Sequence, residues 1–163
     1  MIQISANVAY EGVTPDIAAK EFNTVKRAAY LELGEDFHAN NLPRRFTWSG
    51  GRMLGFTPRS AKYEKRKRKK YGHADPNVAT GTSRDQATKI RDLRATATSK
   101  TTRLRIVLHA RALNFKHPKS QVHPADEVRR IAEREVPPMV RKLAGFIDRQ
   151  FSQLPSNTRS EKV

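Results

Sequence analysis

The sequence predicts an α+β fold: a small antiparallel β-sheet, an N-terminal helix and a C-terminal helix packed on it, and a long basic loop extending from the domain. Three observations predict it. Ile2, Ile4, Ala6 and Val8 alternate with Gln3, Ser5 and Asn7, the period of two of a half-buried strand. Leu104, Ile106 and Leu108 alternate in the same way with Arg103, Arg105 and Val107. Elsewhere apolar residues recur at spacings of three and four, the period of an amphipathic helix. With 163 residues and 37% hydrophobic content, the chain has room for one domain with a lean core. That domain is expected over residues 1–154, followed by a disordered tail at 155–163.

Gly12 ends the first strand pattern, and Thr14-Pro15-Asp16 supplies a capping hydroxyl, a proline suited to the first helical position and an early acid. A helix is expected from Pro15, with Ala18, Phe22, Val25, Ala29, Leu33 and Phe37 as its core stripe and Gly34 as a break in it. Between residues 40 and 82 periodicity is lost among Pro43, Gly50, Gly51, Gly55, Pro58, Gly72, Pro76 and Gly81. A connection this long exceeds ordinary loop lengths, so it is expected to be ordered by a partner or to carry function itself. Within it, Ser60–Lys70 has the composition of a short helix, opposed by like charges three and four residues apart.

Order returns around a hairpin centred near Ser99-Lys100, which lacks the Asn-Gly signal of the tightest turns. Pro124-Ala125-Asp126-Glu127 then opens a short helix ending near Arg134. A second helix is expected to carry Pro137 and Pro138 in its first turn. Its predicted stripe is Val136, Val140, Leu143, Ile147, Phe151 and Leu154.

The chain carries 32 basic and 16 acidic residues, a formal charge of +16. Residues 1–40 hold 3 basic and 6 acidic groups, residues 41–120 hold 21 and 4, and residues 121–163 hold 8 and 6. The net charges are therefore −3, +17 and +2, so the excess is confined to the middle of the chain. Its densest part, Lys62 to Lys70, has seven cations in nine positions. Such a run repels itself and is expected to stay out of the core. It suits a phosphate-contacting arm, and equally a solvated face that meets an acidic neighbour. The candidate interface or phosphate-contact residues are Arg59, Lys62, Lys65, Arg66, Lys67, Arg68, Lys69, Lys70, Arg103 and Arg105, with Arg91 and Arg94 on the same arginine-rich hairpin. Phe46, Trp48, Met53 and Phe56 are the candidate apolar anchors of the loop.

Catalytic and cofactor chemistry finds little support. Cysteine is absent, which removes disulfides, thiolate metal sites and cysteine nucleophiles. His38, His73, His109, His117 and His123 lack the spacing of ligands on one helix; a site from the last three needs a particular loop, and surface histidines are the simpler expectation. Gly81-Thr82-Ser83 and Gly50-Gly51-Arg52 lack the lysine and spacing of a phosphate-binding loop. Ser83, His109 and Asp92 could form a triad on paper, but Ser83 has no nucleophile-elbow context. A small basic ribonuclease using Arg, Lys and His is the remaining enzymatic alternative. No catalytic residue, metal or cofactor is assigned. No repeat has a fixed period, no stretch is apolar enough to cross a membrane, and Met1–Ala6 has no leader character, so the cytosol is the expected compartment of synthesis.

The elements in order carry a resemblance: a strand, a helix, an irregular stretch with Phe56-Thr57-Pro58-Arg59-Ser60-Ala61-Lys62-Tyr63 and trailing Lys and Arg up to Gly72, a turn Ala79-Thr80-Gly81-Thr82-Ser83-Arg84, a hairpin ending in His109-Ala110-Arg111, and a terminal helix. This resembles the tail-completion and head-to-tail joining proteins of tailed phages, also described as virion morphogenesis or minor tail proteins. The likeness runs over residues 1–153. It departs from the family pattern between Leu113 and His123 and at Pro137-Pro138. The resemblance implies a structural protein without an active site, which forms a sixfold or twelvefold homo-oligomeric ring at the virion neck. There it would join the portal or connector to the tail, beside other neck and tail proteins, with incidental DNA contact. It implies assembly in the host cytoplasm. The alternative is a small basic nucleic-acid-binding protein that contacts phosphates through residues 62–70.

Overall fold

The computed structural model describes residues 2–6, 19–116, 118, 120 and 122–153; the expected helix start at Pro15, the stripe positions Ala18 and Leu154, Val8, His117 and the tail lie outside them. Three strands, β1 (Ile2–Ala6), β2 (Leu93–Ala97) and β3 (Thr102–Ile106), form an antiparallel sheet in the order β1-β3-β2. The helices are α1 (Ala19–Asp36), α2 (Trp48–Met53), α3 (Ala61–Tyr71), α4 (Thr82–Lys89), α5 (Pro124–Arg129) and α6 (Val136–Ser152). The α+β expectation holds, as does the position of the hairpin. Its turn is closed by threonines in place of Asn-Gly: the Thr98 amide donates to the Thr101 carbonyl at 2.8 Å, and the Thr101 amide donates to Thr98 Oγ1 at 3.0 Å. Side-chain hydroxyls can replace a backbone turn in this way.

Along β3, Thr102, Leu104 and Ile106 are buried while Arg103 and Arg105 are exposed, as the alternation requires. The buried face receives α1, whose Val25, Ala29, Tyr30, Leu33 and Phe37 join the core. Gly34 does not interrupt that helix. A Cβ there would meet the Leu104 methyls at 3.0 and 3.2 Å, so glycine is what lets the helix press this closely on the sheet. Lys26 adds a polar tie, its Nζ donating to the Thr98 carbonyl at 2.6 Å. Burial pulls that ammonium below its usual range.

The C-terminal helix was expected on the sheet. Instead α6 packs along α1, stacking Phe151 on Phe22 at 5.8 Å and pairing Lys142 with Asp36 at 2.7 Å and Arg149 with Glu32. The two prolines do lie in its first turn. Their placement shifts the stripe: Met139, Leu143 and Ile147 face inward, whereas Val136 and Val140 are exposed. Counting three to four residues from the exposed Val136 therefore selected the wrong first turn.

The segment 40–82 is not an extended loop. After α1 the helix widens into a π turn over Phe37–Asn41, a 3₁₀ turn follows at Pro43–Phe46, and α2 and α3 come next. What organises this succession is Arg45, which is 0% exposed. Its guanidinium donates to Glu135 at 2.7 and 3.1 Å, to the Asn41 carbonyl at 2.9 Å and to the Arg130 carbonyl at 3.0 Å, and it lies 4.7 Å from the Phe37 ring centroid. Glu135 also accepts from Asn41 Nδ2 at 3.0 Å and from the Ala132 amide at 2.9 Å. Burial pushes the Glu135 carboxyl up, but the hydrogen bonds from Arg45, Asn41 and Ala132 outweigh it and hold the group below its ordinary 4.5. Among the described residues no helix is long and apolar enough to cross a membrane.

Glu135→Gln keeps the shape of the side chain and leaves the Arg45 charge buried without its counter-ion. Urea unfolding at neutral pH should show a loss of about 3–5 kcal/mol. Because the folded carboxyl titrates below 4.5, its contribution is complete above that pH and is lost as pH falls through the folded value. The parent protein should therefore lose stability progressively below about pH 4.5, and the Gln variant should show a flatter acid limb.

Candidate functional site

The cationic middle of the chain folds into two exposed surfaces, and several of its cations are consumed internally. The first surface is α3. Ser60 caps it, its hydroxyl accepting from the Tyr63 amide at 3.3 Å, and Gly72 ends it in the left-handed region at φ 79°. A side chain at that φ would be strained, which is why glycine stands there. Lys62, Lys65, Arg66, Arg68, Lys69 and Lys70 are all exposed.

Lys67 departs from the expected solvated run. It is only 6% exposed, donates to the Asp75 carbonyl and lies 5.7 Å from the Tyr63 ring centroid. Burial, then the Arg59 charge, pulls its ammonium below the ordinary 10.5, against the opposing effect of Asp75. Arg59 is also committed within the fold: it makes a bidentate pair with Glu127 at 2.6 and 3.1 Å. Neither residue is an available phosphate contact. Together they root α3 to the segment after it and to α5.

The second surface is the outer face of the sheet. Gln3, Arg94, Thr96, Arg103 and Arg105 are exposed there. The register sets Arg94 directly opposite Arg105 and Thr96 opposite Arg103. Like charges facing each other across strands are unfavourable by tenths of a kcal/mol. Arg94 is partly relieved by Asp92 Oδ1 at 3.2 Å. Among the described residues, Arg103 and Arg105 have no carboxylate within 4.0 Å. Burial pushes the Asp92 carboxyl up, but hydrogen bonds from Arg94 and His109 outweigh it and leave it below its ordinary value.

The apolar anchors divide. Phe46 is fully buried and belongs to the core, which corrects its expected role as an exposed anchor, and Phe56 is half-buried against Gly51. Trp48 remains 43% exposed and Met53 39%, with Arg52 lying 4.8 Å from the Trp48 ring centroid. Val136 and Val140 add further exposed apolar groups.

Of the paper triad, His109 and Asp92 do meet, at 3.2 Å, but no hydrogen bond among the described residues joins Ser83 on α4 to either. His123 caps α5 through Nδ1, and His38 is buried beside the Ile90 carbonyl where a surface histidine was expected. Among the described residues no three His, Asp or Glu side chains are placed to hold a metal ion. Sequence reasoning missed α2 and α4 and the internal use of Arg45, Arg59 and Lys67. For Arg45 and Arg59 the one signal was the presence of acids, Glu135 and Glu127, in the near-neutral C-terminal segment, whereas Lys67 is held by a backbone carbonyl that no residue type marks. No protein-family model, curated protein or solved structure matches the chain.

Lys67→Ala leaves the Asp75 carbonyl without its donor and loosens the root of α3. Chemical denaturation should show a loss of about 1–3 kcal/mol, and amide exchange across residues 61–71 should accelerate more than that of β3.

Proposed function

We propose that the protein is a structural subunit of a tailed-phage neck or tail, acting in tail completion or head-to-tail joining as one copy of a ring between the portal or connector and the tail. The resemblance supplies the role, and the order strand, helix, irregular helical stretch, hairpin, terminal helix supports it. The observation that carries the reading is an unfinished sheet. It has three strands, so β1 and β2 are both edges, and among the described residues no further strand pairs with either. Among the described residues, its outer face presents exposed arginines.

Exposed strand edges are sites where a second chain can pair or abut. A head-to-tail contact that closes on itself produces a ring. The exposed Trp48, Met53, Val136 and Val140 provide apolar area for such a contact. The arginine face provides charge that an acidic surface on a neighbour would complement. Other neck and tail proteins are the further partners of this reading, and the virion is its location.

Size-exclusion chromatography with light scattering and negative-stain microscopy test it. Discrete rings are expected without DNA, sixfold or twelvefold. Arg103→Glu combined with Arg105→Glu should reduce the rings to small species while changing monomer stability by no more than about 0.5 kcal/mol per exposed site. A parent protein that stays monomeric alone and shifts only with DNA would make the nucleic-acid-binding reading the correct one.

A further inference from the structure

We infer that α3 is a preformed docking rod for the phosphate backbone of a nucleic-acid duplex, through Lys62, Lys65, Arg66, Lys69 and Lys70. This inference stands on the helix alone and does not depend on ring assembly. At about 100° per residue, these five cations fall within an arc of about 140°. Lys67, Glu64 and Tyr71 lie outside that arc, and Lys67 points to the Asp75 carbonyl on the side that is tied to the domain. Six of the seven cations are thereby sorted into an anchored side and a projecting cationic stripe, and Arg68 is exposed beside the stripe.

The stripe spans nine residues, about 12 Å of helix, and so presents one positive charge every 2 to 3 Å or so. A nucleic-acid duplex carries one negative charge per roughly 1.7 Å of its axis, a density of the same order. Folded protein surfaces seldom present acids this closely, because the acids would repel one another as these cations do.

Among the described residues no carboxylate lies within salt-bridge distance of any of the five. Glu64, the helix's own acid, makes no such pair. The helix offers no run of stacking platforms: Tyr71 is half-buried and lies outside the stripe, and Tyr63, 37% exposed, is a single ring beside it. Single-stranded ligands depend on such platforms. A stripe of charge without such a run engages backbone phosphates, independently of base sequence.

Fluorescence anisotropy of a labelled 20-base-pair mixed-sequence duplex, measured over a salt series on the full chain, tests the inference. Each phosphate neutralised adds about 0.9 to the slope of log affinity against log salt. Five contacts therefore weaken binding about 500-fold between 50 and 200 mM salt. Lys65→Gln with Lys69→Gln, substitutions that keep helix propensity, should reduce the slope by about 1.8. Lys65→Arg with Lys69→Arg should retain it, and Arg103→Ala with Arg105→Ala should leave it unchanged. The inference is overturned if the Gln pair keeps the parent slope with α3 still helical by circular dichroism, or if polyglutamate displaces the duplex at equal charge concentration. Ring formation measured on the same samples fails or succeeds separately.

Discussion

The fold depends on the buried pair of Arg45 and Glu135. Taking two charges out of water costs several kcal/mol per ion, and their attraction repays this only when the geometry is good and the remaining donors and acceptors are satisfied. Here four donor contacts leave the guanidinium, two of them to one carboxylate, and that carboxylate gains two further donors from Asn41 and Ala132, so that of the guanidinium nitrogens Nε alone is left without a hydrogen bond. The pair connects residues ninety apart in sequence. It locks the turns that follow α1 to the approach of α6 and so sets how the segment 40–82 leaves the core. Without it, the chain between α1 and α3 would have few buried groups to order it beyond Leu42, Phe46 and Leu54.

Elements with several periods of pattern were legible in the sequence. The five-residue strands of the hairpin, the body of α1 and the proline start of α6 all announce themselves by alternation, helical spacing or fixed φ. The helix α3 was legible from its cap and its composition despite its charge. The short elements were not. A helix of six residues such as α2 covers less than two turns, too few for a period to emerge, and its glycines read as loop. Gly50 is required there because a Cβ would lie 2.0 Å from the carbonyl oxygen of Arg44 in the turn just before the helix, a close approach that no apolar period marks. The displacement of α6 from the sheet onto α1 has the same origin: an apolar stripe says that a face is covered, not by which layer.

Charge was legible in amount and place but not in use. Composition assigns every Lys and Arg between residues 41 and 120 to one basic excess. The folded chain divides them by burial into structural ties and surface groups. Arg45, Arg59 and Lys67 each find an acid or a carbonyl and become parts of the scaffold. Such ties need a partner distant in sequence, Glu135, Glu127 or a turn carbonyl, and no window along the chain contains both members of the first two.

The two surfaces left over differ in what they ask of a partner. On the sheet, the cations stand on rigid strands and Arg94 is already half compensated by Asp92, so an anion gains only part of the full Coulomb term and contributes mainly to register and specificity. On α3, Lys62, Lys65, Arg66, Arg68, Lys69 and Lys70 repel one another at spacings of three and four. Six such pairs cost about 1–3 kcal/mol together. Against this stand the Ser60 cap, worth about 1 kcal/mol, and the charged hydrogen bond of Lys67, worth about 1.5–3 kcal/mol. The stabilising terms exceed the repulsion only modestly, and the larger of them is the root at Lys67. A polyanion that removes the repulsion therefore adds to helix stability what it gains in contact. Binding at α3 would in this way add stability to a helix that is already formed and rooted.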